Sequence, residues 1–212
     1  GVGRARITPE EPVWMGGFGF RDHPGEGKEQ DLWAKALALK DARGKRVVMI
    51  TVDVVKIPKN VSDTIRNILH SRFGLTKAEI LINCSHTHSG PALKDVNSIP
   101  FSDEMQSPEQ TSRIVRYTDR FVRDVLAVAN DAINSMKPAM VYADNGVTRF
   151  QVNRRNNSIE NLNRQIQLNG PIEPSVPVLK VVGTDKVLKA IVFGYACHPT
   201  ILRGYQWSGD FP

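Results

Sequence analysis

The stretch Leu81-Ile82-Asn83-Cys84-Ser85-His86-Thr87-His88-Ser89-Gly90-Pro91 decides how this chain is read. An apolar run from Ile80 to Ile82 leads into two histidines spaced i, i+2, followed at once by Ser-Gly-Pro. Side chains on a strand alternate faces, so His86 and His88 share one face if the strand runs through them. Gly90-Pro91 then breaks the element and opens a loop, where sites commonly sit. The pattern returns far downstream. Ala190-Ile191-Val192-Phe193-Gly194-Tyr195-Ala196-Cys197-His198-Pro199 is again an apolar run ending in His and then Pro. Two strands that each deliver an imidazole at their tip are what a metal site needs.

Working outward, Val47–Val54 reads as a buried strand with Asp53 near its end. A carboxylate there is costly unless paired or near a cation, so Asp53 is either a metal-facing acid or a cap on the following turn. Leu32–Lys40 pairs with this strand through the polar, glycine-containing turn 41–46. Asn60 caps a helix whose stripe is Val61, Ile65, Ile68, Leu69 and Phe73 and whose stop is Gly74. Residues 92–110 form a long loop. Residues 111–136 form the longest helix, with Phe121, Val122, Val125, Leu126, Ala129, Ile133 and Met136 on its buried face, and Pro138 ends it. Ala139–Ala143 is a strand, and Val176–Thr184 with Val187–Ala196 is a strand pair joined at Asp185-Lys186. The expected fold is α/β, with mixed β-sheets flanked by helices in a single catalytic-type domain over residues 1–212. Residues 1–32 read as irregular. Within them, Met15-Gly16-Gly17-Phe18-Gly19-Phe20 lacks the strand and helix of a dinucleotide loop. It is a close-approach loop or a flexible turn.

The net charge of +6 is scattered along the 212 residues. Arg113, Arg116, Arg120 and Arg123 make one helical stripe, read as a solvated face. A solvated face is preferred to a nucleic-acid-binding surface. No run approaches the ~20 apolar residues of a membrane span. The opening residues Gly1–Arg6 lack the apolar core of a signal peptide. Cys84 and Cys197 are too few for a disulfide framework and read as free thiols, with zinc ligation or a mutual disulfide left open. Trp207-Ser208-Gly209-Asp210-Phe211-Pro212 has no helix cap or polar tail and reads as the end of a fragment.

His86, His88 and His198 offer three neutral nitrogens, and Asp53 or Asp210 an oxygen. Catalytic zinc sites keep about three protein ligands and one open position. Zinc brings the pKa of its water to about 7 and polarises a carbonyl, so amide or ester hydrolysis follows from such a set. The basic stretch Thr148–Asn157 could lend an arginine to a carboxylate or amide oxygen; a solvated loop is the plain alternative. His23 reads as an exposed loop residue and His70 as a boundary packing residue. Neither a Gly-x-Ser-x-Gly elbow nor a phosphate loop is present.

Ser85-His86-Thr87-His88-Ser89-Gly90-Pro91 resembles the Thr-His-Thr-His-Ser-Gly-Pro signature of neutral/alkaline, non-lysosomal ceramidases. Ile7-Thr8-Pro9, Met15-Gly16-Gly17-Phe18-Gly19, Asp31-Leu32-Trp33-Ala34-Lys35-Ala36-Leu37, Asn153-Arg154, Glu173–Leu179, Cys197-His198-Pro199-Thr200 and Gly209-Asp210-Phe211-Pro212 follow in the family's order. The resemblance implies a zinc amidase that cleaves the N-acyl bond of ceramide to a fatty acid and a sphingoid base. It implies that His86 and His198 are zinc ligands, that His88 and Arg154 are catalytic residues on the substrate side, and that Gly17 lies near substrate. It further implies a lipid amide substrate met at or near a membrane surface, and a secreted or periplasmic location. The family completes its zinc site with a Glu and a Tyr and uses an active-site Ser, all beyond Pro212, and carries a C-terminal immunoglobulin-like domain also beyond it. Two alternatives stand beside this reading: a hydrolase of another N-acyl substrate, such as an acylated sugar or peptide, and a non-catalytic binding module.

Overall fold

The computed structural model describes residues 1–96 and 107–209. Asp210, one of the two acids considered above, therefore lies outside the described residues, as does most of the loop expected over 92–110. The chain divides into two compact units, Gly1–Met136 with Pro199–Pro212, and Lys137–His198.

The first unit begins with β1 (Val2–Arg6), followed by the short β2 (Gly27–Lys28), β3 (Trp33–Lys40), β4 (Arg46–Val52), α1 (Lys59–Phe73), β5 (Ile80–Cys84) and α2 (Pro108–Asn134). Four strands form a mixed sheet in the order β1-β3-β4-β5. The β3–β4 pair is the expected antiparallel hairpin, with Leu37 opposite Met49. The β4–β5 pair is parallel and is joined through α1, which makes a βαβ unit. The strand β1 occupies an edge beside β3. It was expected to be irregular, because Gly3, Arg4 and Arg6 give it no apolar run; pairing with β3 overrides that local signal.

Helix α1 starts two residues earlier than the Asn60 cap predicts. Pro58 holds the N-cap position, and Asn60 lies within the first turn. Gly74 closes the helix in the left-handed conformation (φ +68°), donating its N–H to the His70 carbonyl. His70 points its Nδ1 at the Leu75 carbonyl, 2.9 Å away, a packing role. In α2, Ser107 caps the N-terminus by accepting from Gln110 N, and Pro108 fills the first helical position. Its buried stripe, including Phe121, Val125, Ala129 and Ile133, packs on β1 and β3. Each large buried side chain of this kind contributes roughly 1.5–3 kcal/mol over exposure. The opposite face carries the arginine stripe. Arg116 pairs with Glu11 at 2.9 Å, and Arg120 with Glu10 and Asp124, both at 3.3 Å. Arg113 pairs with Glu109. The stripe is thus a solvated, ion-paired helix face.

The second unit is a three-stranded antiparallel sheet in the order β6-β7-β8, from β6 (Ala139–Val147), β7 (Ser175–Gly183) and β8 (Leu188–Phe193). A short helix, α3 (Ile159–Arg164), lies in the long β6–β7 connection, where no helix was expected. Six residues give little periodicity to read. The chain then returns to the first unit. There β9 (Gln206–Trp207) pairs in parallel with β2.

Candidate metal-binding site

The strand leading to the site stops earlier than its apolar pattern suggests. After Cys84 the chain leaves the sheet, and His86 adopts a left-handed backbone (φ +62°). The alternation that would put His86 and His88 on one strand face therefore does not operate. A left-handed turn presents them instead, at a cost of about 1–2 kcal/mol for a residue with a Cβ. The rings still meet, with centroids 5.2 Å apart and planes crossed at 71°.

Three sets of contacts hold this turn. The His86 Nδ1 lies 2.6 Å from the Val55 carbonyl, so that nitrogen carries the proton and Nε2 is the lone-pair nitrogen. This is the usual way a protein orients a metal-binding imidazole. Thr87, fully buried, donates its hydroxyl to the Ser208 carbonyl at 2.8 Å and accepts from Ser89 N at 3.0 Å. Ser208 N returns a bond to the Ser89 carbonyl at 3.0 Å, and the Ser89 hydroxyl donates to the Leu202 carbonyl at 3.2 Å. Gly90 passes against Asp53, whose carbonyl oxygen would lie 3.0 Å from any Cβ placed there.

His88 N donates to the Pro199 carbonyl at 3.4 Å, which brings the residue bonded to His198 up to the His86–His88 turn. One potential ligand nitrogen from each of His86, His88 and His198 lies within 4.8 Å of the others. His86 and His198 are exposed and His88 is buried. Three imidazoles converging at this separation could hold a metal ion, and their chemistry suits a borderline-soft divalent cation. The apolar run before His198 ends at Phe193 in β8, so His198 sits on irregular chain and not at a strand tip.

The glycine-rich loop proves to be a close-approach loop. Gly16 N donates to the Gly90 carbonyl at 2.9 Å, and Ala92 N donates to the Trp14 carbonyl at 2.8 Å, lacing the two loops together. Gly17 has φ +98°, and a Cβ there would stand 2.5 Å from His88 Cγ. Phe18 then places its ring 4.7 Å from that of His88, edge to face.

Asp53 is not part of the histidine cluster. Its Oδ2 accepts the Trp33 backbone N–H at 2.9 Å, so it ties down the start of the preceding strand β3 and not the turn that follows it. Burial pushes its pKa up, partly offset by that backbone bond. Cys84 and Cys197 are both free, and burial raises the thiol of Cys84 to about 11. His23, expected to be exposed, is half-buried and stacks on Tyr205 with centroids 3.6 Å apart.

In the second unit, Arg154 opens an exposed 3₁₀ turn, Arg154–Asn156. The sequence reading missed what holds this turn. The Asn153 side chain accepts from the N–H groups of Arg155 and Asn156, both at 3.2 Å, and donates to the Pro171 carbonyl at 3.0 Å. Asn157 bridges the Asn153 and Asn169 carbonyls at 2.6 and 2.8 Å. The cluster of asparagines around an arginine was the legible signal, since Asn side chains substitute for backbone in turns.

A model of the family described as "Neutral/alkaline non-lysosomal ceramidase, N-terminal" matches residues 1–207. The chain belongs to that family. Two solved structures share its fold. A ceramidase complexed with C2 superposes with a TM-score of 0.74 at 21% identity, covering 99% of this chain and 33% of the other. The neutral ceramidase from Pseudomonas aeruginosa gives 0.72 at 21% identity with the same coverages. The chain thus spans about a third of the length of these ceramidases. The expected α/β fold of mixed sheets and helices agrees with theirs. Among the described residues no helix is long and apolar enough to cross a membrane.

Proposed function

We propose that this chain carries the imidazole-bearing part of a zinc-dependent amide hydrolase that cleaves the N-acyl bond of ceramide. The products are a fatty acid and a sphingoid base. The observation that carries the reading is the convergence of His86, His88 and His198 in a member of the ceramidase family. In this reading His86 and His198 hold the ion, with the Val55 carbonyl fixing the tautomer of His86. A zinc ion there supplies Lewis acidity toward the amide carbonyl and nucleophilic water at neutral pH. His88, walled by Gly17 and Phe18, faces the substrate and exchanges a proton with it. Arg154 binds the substrate's polar head or the developing oxyanion. Gly17, whose missing Cβ lets the loop pack on His88, lies near the substrate. The substrate is a lipid amide met at or near a membrane surface, and the enzyme works outside the cytoplasm, secreted or periplasmic.

The test is zinc stoichiometry in the complete natural polypeptide, measured for wild type, His86→Ala and His198→Ala. One equivalent in wild type and a large loss in both variants supports the assignment. Unchanged stoichiometry in either variant overturns it. Release of fatty acid from ceramide, compared with acylated sugars and peptides, then tests the substrate.

A further inference from the structure

Arg21 is 1% exposed, an unusual state for a permanently charged side chain. Its guanidinium donates from Nη1 to the Gly16 carbonyl and to the His88 carbonyl, both at 2.8 Å, and from Nη2 to the Gly204 carbonyl at 2.9 Å. Those carbonyls belong to three separate segments: the glycine-rich loop, the histidine turn and the chain that follows His198. The guanidinium carbon also sits 5.0 Å from the Phe18 ring centroid and 5.9 Å from that of Tyr205. Phe18 in turn meets the His88 ring. Arg21 therefore reaches His88 from two sides, through its carbonyl and through the aromatic ring that packs on its imidazole.

From this geometry we propose that Arg21 is a positioning residue that fixes the His88 imidazole by clamping three backbone segments on one planar fork. The role rests on the assignment of His88 to the substrate side only for its catalytic consequence; the clamp itself does not. Five N–H donors in a rigid plane can serve three carbonyls from different directions at once. A lysine keeps the charge but carries it as a point on a flexible stem. It can replace one or two of these bonds without recreating the plane on which Phe18 rests.

The experiment uses the complete polypeptide, zinc-loaded, as wild type, Arg21→Lys and Arg21→Met. Histidine rings labelled with ¹⁵N report ring position by NMR, with His70 on α1 as an internal control. Ceramide hydrolysis gives kcat and KM, and metal analysis gives zinc content. The clamp predicts a shifted or broadened His88 ring resonance in Arg21→Lys, with His70 unmoved and zinc retained. It also predicts a fall in kcat of about tenfold or more with KM changed less than threefold. If Arg21→Met fails to fold, Arg21→Lys decides alone. A His88 resonance unmoved in folded, zinc-replete Arg21→Lys overturns the clamp, whatever the activity. A moved resonance with unchanged kcat keeps the clamp and overturns the catalytic assignment of His88.

Discussion

Replacing Gly17 by alanine tests how tightly the glycine-rich loop is pressed against the site. The new methyl would stand 2.5 Å from His88 Cγ, 2.6 Å from its Nδ1 and 2.9 Å from its Cα. No real carbon sits at those distances, so either the loop or the His88 ring must move. Overpacking of this kind costs roughly 1–3 kcal/mol. The backbone adds to it: φ +98° lies where a Cβ costs about 1–2 kcal/mol. Together these predict a loss of about 2–5 kcal/mol. Gly74→Ala separates the two contributions. Gly74 also has positive φ (+68°), but nothing lies within 4 Å of its Cβ position. That variant should lose only the backbone part, about 1 kcal/mol. Urea unfolding of wild type and both variants, followed by tryptophan fluorescence and far-UV circular dichroism, measures the difference. If Gly17→Ala is no less stable than Gly74→Ala, the loop is not packed against His88 as described, and its proposed place beside the substrate fails with it.

Asp53 gives a pH-dependent test. Its folded pKa is raised above the ordinary 3.8 by burial, so the folded state binds its proton more tightly than the unfolded state does. Its contribution is most favourable at acid pH and declines as pH rises from about 4 through the raised folded value. Asp53→Asn keeps an acceptor for the Trp33 N–H and cannot ionise, so its stability relative to wild type should increase between pH 4 and pH 7 in urea titrations. With its pKa near 11, Cys84 should carry about a hundredfold less thiolate at pH 8 than an ordinary cysteine. Mass-spectrometric timing of iodoacetamide labelling in the native protein checks this, with a simple thiol peptide as reference. Tyr117→Phe removes a buried hydroxyl that donates to the Ile7 carbonyl at 2.7 Å. It should cost about 1–3 kcal/mol in the same unfolding assay, because the carbonyl is left without its donor.

The sequence made legible those elements whose own side chains declare their environment. The stripe Val61, Ile65 and Leu69 and the stop at Gly74 describe α1 to within two residues, and the polar, glycine-containing turn 41–46 describes the β3–β4 hairpin. The edge strand β1 was not legible, since its stability comes from partners on β3. The histidines were legible as a metal-type set, but their geometry was not. A left-handed residue at His86 is a tertiary decision: the Val55 carbonyl, the Thr87–Ser208 bond and the Ser89 contacts select it, and all lie far away in sequence or beyond the strand. The role of Arg21 was invisible for the same reason, because it reads locally as one more basic residue in a loop. Asp53 offered two readings of equal chemical sense, and its bond to the Trp33 N–H on the preceding strand is neither of them.

The bond from Thr87 to Ser208 spans 121 positions of chain. A ribosome adds roughly 5–20 residues per second. The histidine turn therefore waits on the order of 6–24 seconds after its own synthesis before the segment that fastens it exists. For most of that interval His86 and His88 are present without His198, and the left-handed bend has little to hold it. Any ion held by this trio would consequently be captured late in the life of the nascent polypeptide, paced by translation speed as well as by affinity.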